Sequence, residues 1–437
     1  MFILKRANYE ELLTRIRTGV TNIGNLVNGN VKHEGDRRRR MRGKVSRLFR
    51  SASSSIYNAL RSTMACKCPS QSHDVGLRLE PRAVDISAVP KGDDQDIMTS
   101  FRFTFAMSFQ SSFMDIDSMD ESWRISSKLW NGLVLQPIKQ PEKGRPARQK
   151  GGVRFALPDT EIRTPEISAL AHQAAVATFT MGTLWTPVSN VEDQEIRDLC
   201  QAMRRSLKQR AGACCGNIKD PYCVTKGGIK YGVYPLGGVL EDQEGAPLVS
   251  LRDAITAGIG PSPYLRYADK LRLACAISSS VLQLYGTPWI AKPPQSADIF
   301  IVQRNGVPQF TDAYVLRRLP EFSNPPAIYS GNTTQIISSK PALFSLGILL
   351  LELLLGRPIQ GPDPCYAMDE ATMTSLLNQA HEYPGPNYEN AVRRCIRSQF
   401  NIGDNVSLEN DDFRDQLFAE VVVPLAEDLK ACTGSWD

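Results

Sequence analysis

The sequence is 437 residues long and 42% hydrophobic, with 51 Lys and Arg against 46 Asp and Glu for a net charge of +5. Glycine and proline are near ordinary globular usage, so the chain is expected to fold, with core enough for two or three domains. Its ten cysteines are too scattered for a disulfide scaffold, no apolar stretch follows Lys5 and Arg6, and no window approaches the roughly 20 apolar residues of a membrane span. Neither a secretory leader nor a spanning helix is expected, and the location implied is the cytoplasm, with the nucleus left open.

From Tyr9 the apolar residues Leu12, Leu13, Ile16, Val20, Ile23, Leu26 and Val27 keep helical spacing, and a second stripe runs through Val45, Leu48, Phe49, Ala52, Ile56, Leu60 and Met64. Asn28-Gly29-Asn30 through Gly35-Asp36 is turn chemistry between them, which predicts an α-helical hairpin over residues 1–70. Such a pair has little core of its own and must dock on something further. Arg37, Arg38, Arg39, Arg40, Arg42, Lys44, Arg47 and Arg50 place eight positive charges in one run without an acid, leaving the remainder of the chain at −3, that is, +5 less 8. On this reading the run opens the second helix, where positive charge opposes the helix dipole at a few tenths of a kcal/mol per residue. An acidic protein partner or an anionic membrane surface is a fitting use for Arg37, Arg38, Arg39, Arg40, Arg42 and Lys44. Nucleic acid fits less well, because Phe49 is the one aromatic interleaved, and a solvated charge run is the plainer alternative.

After Pro69 the period changes to two. Val75, Leu77 and Leu79 alternate, Phe101, Phe103, Phe105, Met107 and Phe109 do so strictly, and Leu133-Val134-Leu135 is a shorter apolar run, so three strands are predicted. A basic loop rich in Pro and Gly follows over 137–152. Residues 192–207 read as a helix that opens on acids and closes on Arg204 and Arg205, and short strands are predicted near 214–218 and 229–236. These elements make up a region of strands with one helix over 71–240.

Residues 241–437 read as mostly helical. Ser250 suits an N-cap for 251–257, a long helix covers 264–285, and a strand pair runs from Ile299-Phe300-Ile301-Val302 across Asn305-Gly306 to Gln309-Phe310. Then comes KPALFSLGILLLELLLGRPI at 340–359. Between Ala342 and Leu355 it is apolar on every face except at Ser345 and Glu352, and Gly356 and Pro358 end it. It is too short to span a bilayer, so it is predicted to be enclosed, each buried Leu or Ile contributing about 1.5–3 kcal/mol. Further helices are predicted over 372–381, 388–400 and 413–429.

Strands, a helix, two strands, and then a helical half with one small hairpin before a buried helix resembles the α+β, two-lobed layout of a protein kinase. Ser345-Leu346-Gly347 with Leu351-Glu352-Leu353 resembles the kinase central-helix pattern S-x-G-x-x-x-x-E-L, and Cys395-Ile396 resembles a late helix of the same lobe. More closely, Gly286-Thr287-Pro288-Trp289, Asp298-Ile299-Phe300, Phe344-Ser345-Leu346-Gly347, Ala391-Val392-Arg393-Arg394-Cys395 and Val422-Val423-Pro424-Leu425 resemble an uncharacterised filamentous-fungal family with a degenerate kinase-like C-terminal half. Tyr57-Asn58-Ala59-Leu60 and Cys66-x-Cys68 with His73 extend the match over nearly the whole sequence. The family is in turn similar to the helical-domain proteins of fungal incompatibility and cell death, which implies a role in non-self recognition.

Kinase chemistry needs a catalytic Asp, an Asn and an Asp for Mg²⁺, a Lys on the phosphates and a glycine-rich loop. With Asp298 at the metal-binding Asn position, the catalytic His-Arg-Asp falls on Ala291-Lys292-Pro293, and proline has no oxygen to accept a proton. Asp312 lies near the second metal position and Lys139 near the phosphate lysine, with Glu195 as its helix partner; Asp298 and Asp312, if they faced one another, would be the remnant of a cation site. The plainer readings, which the sequence favours, are a strand-start Asp, a turn Asp and a loop Lys. Only Gly92 falls between the first two strands, so no phosphate-cradling loop is expected, and Ala342 replaces the Asp that braces the catalytic loop. Cys66, Cys68 and His73 lack a fourth ligand for zinc and read as packed groups. The resemblance thus implies a pseudokinase without cofactor or metal, working through protein partners; the alternative is an atypical ATP-binding or phosphotransfer protein using Lys139, Asp298 and Asp312.

Overall fold

In the computed structural model the first element, α1 (Arg6–Thr63), is one unbroken helix of 58 residues. The structure describes residues 6–64, 73–81, 93–109, 129–138, 194–206, 213–223, 229–236, 248–257, 265–304, 307–319, 340–359, 370–381, 385–400 and 407–434. The expected helical hairpin is therefore corrected to a single rod. Asn28, Gly29 and Asn30 favour a turn but do not impose one. Proline, which would break the helical ladder, first occurs at Pro69, and Glu34 supports the helix through its pairs with Arg37 at 2.7 Å and Arg38 at 2.8 Å. The basic run accordingly lies deep within the rod, away from its N-terminus, and no dipole conflict arises.

The strands β1 (His73–Leu79), β2 (Phe103–Phe109), β3 (Leu129–Pro137), β4 (Asn217–Lys219), β5 (Lys230–Leu236), β6 (Leu248–Ser250), β7 (Ile299–Arg304) and β8 (Val307–Leu319) form one antiparallel sheet in the order β4-β5-β3-β2-β1-β8-β7-β6. Short α2 (Asp94–Thr99) precedes β2, and α3 (Leu199–Ser206) precedes β4. The predicted helix over 192–207 begins late: Glu195 sits in a bridge with Asn217 instead. β1 pairs with β8 along seven positions, from His73↔Leu319 to Leu79↔Ala313, so strands from the 71–240 and 241–437 regions are neighbours in one ladder.

The helices that follow are α4 (Leu251–Ala257), α5 (Tyr267–Leu284), α6 (Lys340–Leu355), α7 (Glu370–His381), α8 (Pro386–Arg397), α9 (Asp411–Leu417) and, after a π turn at Phe418–Val422, α10 (Val423–Thr433). Ser250 caps α4 as its spacing predicts, its hydroxyl accepting from the Asp253 N–H at 3.0 Å. Together the helices and the antiparallel sheet make an α+β fold, and no helix among the described residues is long and apolar enough to cross a membrane.

The main core is continuous from the sheet and the second half of α1 through α5, α6, α8 and α10. Phe49 stacks on Phe103 at 4.8 Å between ring centroids and meets Phe101 edge-on at 5.4 Å. Trp289 packs on Tyr57 and Phe105 and donates its indole N–H to the Ser53 carbonyl at 2.9 Å. A smaller cluster of Ala106, Trp130, Leu248, Val302 and Tyr314 forms a separate buried group.

Candidate functional site

The segment between α5 and β7 carries the residues read against kinase chemistry. Pro294 is buried, and its carbonyl accepts from the hydroxyl of Ser345 on α6. Two turns further along that helix, the buried Glu352 accepts from the Ile359 N–H at 2.9 Å and also takes a bond from Ser296, in the 3-10 turn Ser296–Asp298. Both polar residues of the apolar helix thus face the same segment or the helix's own exit. Burial pushes the Glu352 carboxyl above its ordinary value, with the Ile359 and Ser296 hydrogen bonds opposing that rise. Lys270 of α5 donates to the Leu354 carbonyl at 2.7 Å and so closes the C-terminus of α6, beside Gly356 in the left-handed region.

Asp298 is engaged on both oxygens, one accepting from the Gln295 N–H at 3.0 Å and the other pairing with Lys292 at 2.9 Å. Asp312, at the irregular part of the β7–β8 pairing, forms its ion pair with Arg78 of β1 at 2.5 Å. Asp298 stands one residue outside the Ile299↔Val315 pair and Asp312 one residue beyond Ala313↔Ile301. The two are four positions apart along the ladder, about 13 Å at ~3.3 Å per residue, and each is held by its own cation. They do not face one another, so the alternative of a shared cation site finds no support in this geometry. Among the described residues no three His, Cys, Asp or Glu side chains are grouped to hold a metal. Lys139, Cys66 and Cys68 lie outside the described residues; Ala342 is fully buried, and His73 is buried with its ring nitrogen on the Ser108 carbonyl at 2.8 Å.

The basic run has a geometry that its composition alone does not disclose. Arg39 and Arg42 both reach Asp415, Arg47 reaches Asp411, Arg50 reaches Glu409, and Lys44 pairs with Asp94 at 2.6 Å. Arg37 and Arg38 pair with Glu34, while Arg40 turns back to the Asp36 carbonyl at 3.3 Å. Seven of the eight cations therefore meet carboxylates of the same chain. Arg50 also donates to the Tyr285 carbonyl at 2.7 Å, and the Arg42 guanidinium lies 5.5 Å from the centre of the Phe418 ring. The acids at 409–415 were legible as acids, but a separation of 359 to 376 residues hid the pairing.

Residues 180–432 match a family model described as a domain of unknown function, DUF7580. The chain belongs to that family. No curated protein matches it. The DUF7580 region takes in α3, β4 to β8 and all later helices, and it leaves out α1 and β1 to β3. The arginine contacts of α1 thus bind a segment outside the family region to the acids of α9 inside it, and the β1–β8 ladder does the same through backbone.

Proposed function

We propose that this DUF7580 protein is a catalytically inactive, kinase-like interaction protein that works through protein partners in the cytoplasm. What supports the reading is the order β3, α3, β4, β5, helices, the β7–β8 hairpin and then the enclosed α6, which resembles the kinase layout. The observation that carries the loss of chemistry is Pro293-Pro294, braced by Ser345, where a catalytic loop would present an Asp. Asp298 and Asp312, each neutralised by a neighbouring cation and set apart along the ladder, support it further. A role in fungal non-self recognition or cell death rests on the family resemblance of the sequence alone. The internal pairing of the basic run favours a protein-internal use over a membrane surface.

Thermal unfolding with and without ATP and Mg²⁺ tests the reading, since a ligand held by the folded state alone raises the melting temperature. No rise is expected. A rise abolished by Asp312→Ala would overturn the proposal in favour of nucleotide binding through Lys139, Asp298 and Asp312.

A further inference from the structure

Between Tyr9 and Val31, α1 leaves nine large apolar side chains in solvent, from Leu13 at 37% exposure to Val31 at 70%. Leu13, Ile16, Val20, Ile23 and Val27 follow one another at alternating steps of three and four, the spacing by which two helices supercoil along a single seam. Leu12, Leu26 and Val31 flank that seam. The same stretch contains Gly19, Gly24 and Gly29, each with open space where a side chain would be. Glycine weakens a helix relative to alanine, and helices in proteins draw most of their stability from burying an apolar face. Among the described residues, a glycine-bearing helix with its stripe exposed lacks that support.

Charge selects what covers the stripe. Residues 6–36 carry Arg6, Arg15, Arg17 and Lys32 against Glu10, Glu11, Glu34 and Asp36, which cancel. A helix that lies on anionic lipid has a basic polar face, and here the basic residues come later and are engaged with internal acids. A neutral face meets no repulsion from a copy of itself. Burying the nine side chains on a second copy removes on the order of 1,000 Å² in total, the size at which specific pairs begin. We propose that residues 9–31 of α1 pair with the same segment of a second copy as a two-stranded coiled coil, joining two protein bodies through their projecting helices. The pairing does not depend on the kinase-like reading.

Analytical ultracentrifugation of the full chain over a wide concentration range tests this. The expected result is a reversible dimer, which Ile16→Lys/Ile23→Lys converts to a monomer whose remaining fold melts at an unchanged temperature. Gly29→Ala/Gly35→Ala lies off the seam in open space and strengthens the helix, so it is expected to tighten the dimer at least about tenfold. A monomer at every concentration in both wild type and the alanine variant would overturn the proposal, as would a dimer that the lysine pair leaves intact. Binding to anionic or neutral vesicles by a protein that stays monomeric would overturn it in favour of a lipid surface.

Discussion

Asp415 accepts from two arginines of α1 and keeps only 14% of its side chain exposed. Exposed ion pairs contribute little, but a shared carboxylate holding two guanidiniums joins a network, so Asp415→Ala is expected to lower stability by about 1 kcal/mol, measured by urea unfolding. Most of that difference is expected to vanish in molar salt. Arg42→Ala is expected to cost more, because the contact with Phe418 is lost as well. Glu352 gives a pH signature of the opposite kind from a paired surface acid. Burial raises its carboxyl above the ordinary value of 4.5, so the folded state holds the proton more tightly than the unfolded one. Below 4.5 both states are protonated and there is no penalty; as pH rises from there to the folded value, stability is lost, and above it the loss is constant. Glu352→Gln keeps an acceptor for the Ile359 N–H and is expected to remove that slope, seen as a wild-type minus variant difference in unfolding free energy between pH 4 and 7, about 4 being the low end at which Glu is largely protonated. Ser345 and Glu352 stood out in the sequence as the polar residues of an apolar helix, but their partners did not, because Pro294 lies 51 positions away.

At the scale of elements, α6 and α8 approach closely at Gly347, where an added Cβ would meet Ile396 Cγ1 at 2.6 Å and Cys395 Cβ at 3.1 Å. Gly347→Ala is expected to force the helices apart and destabilise the fold by about 1–3 kcal/mol, read from the urea midpoint. Tyr388 of α8 fixes the same contact, its buried hydroxyl donating to the Leu350 carbonyl at 2.9 Å. Burial likewise pushes the Cys275 and Cys395 thiols up to about 12, which agrees with thiols that pack and do not react. Elements with one strong period were legible: α6 because it is apolar all round, β2 because Phe103, Phe105 and Met107 alternate. The full length of β8 was hidden because Gln309, Thr311, Asp312, Arg317 and Arg318 break its alternation. The continuity of α1 was hidden because Asn28, Gly29 and Asn30 speak locally for a turn, while the helical ladder that overrides them has no sequence signature.

Over the whole molecule, α1 has two regimes. Its second half, from Phe49 to Leu60, is core, while residues 9–31 touch solvent on all sides. Hydrogen exchange is expected to show slow amides over 49–60 at every protein concentration, whereas those over 9–31 exchange fast in dilute solution and slow down as the concentration rises. Fast exchange over 9–31 that ignores concentration would contradict the dimer. The strand ladder determines how such a molecule can move. Two bodies joined by a flexible linker open and close about a hinge, and the motion breaks few bonds. Here the opening of residues 71–240 away from the β7–β8 hairpin would have to unzip seven paired positions of β1 and β8 and lift Asp312 from Arg78. The sheet therefore acts as a stiff plate. A displacement of α1 is expected to carry the described strands with it as one unit rather than to part β1 from β8.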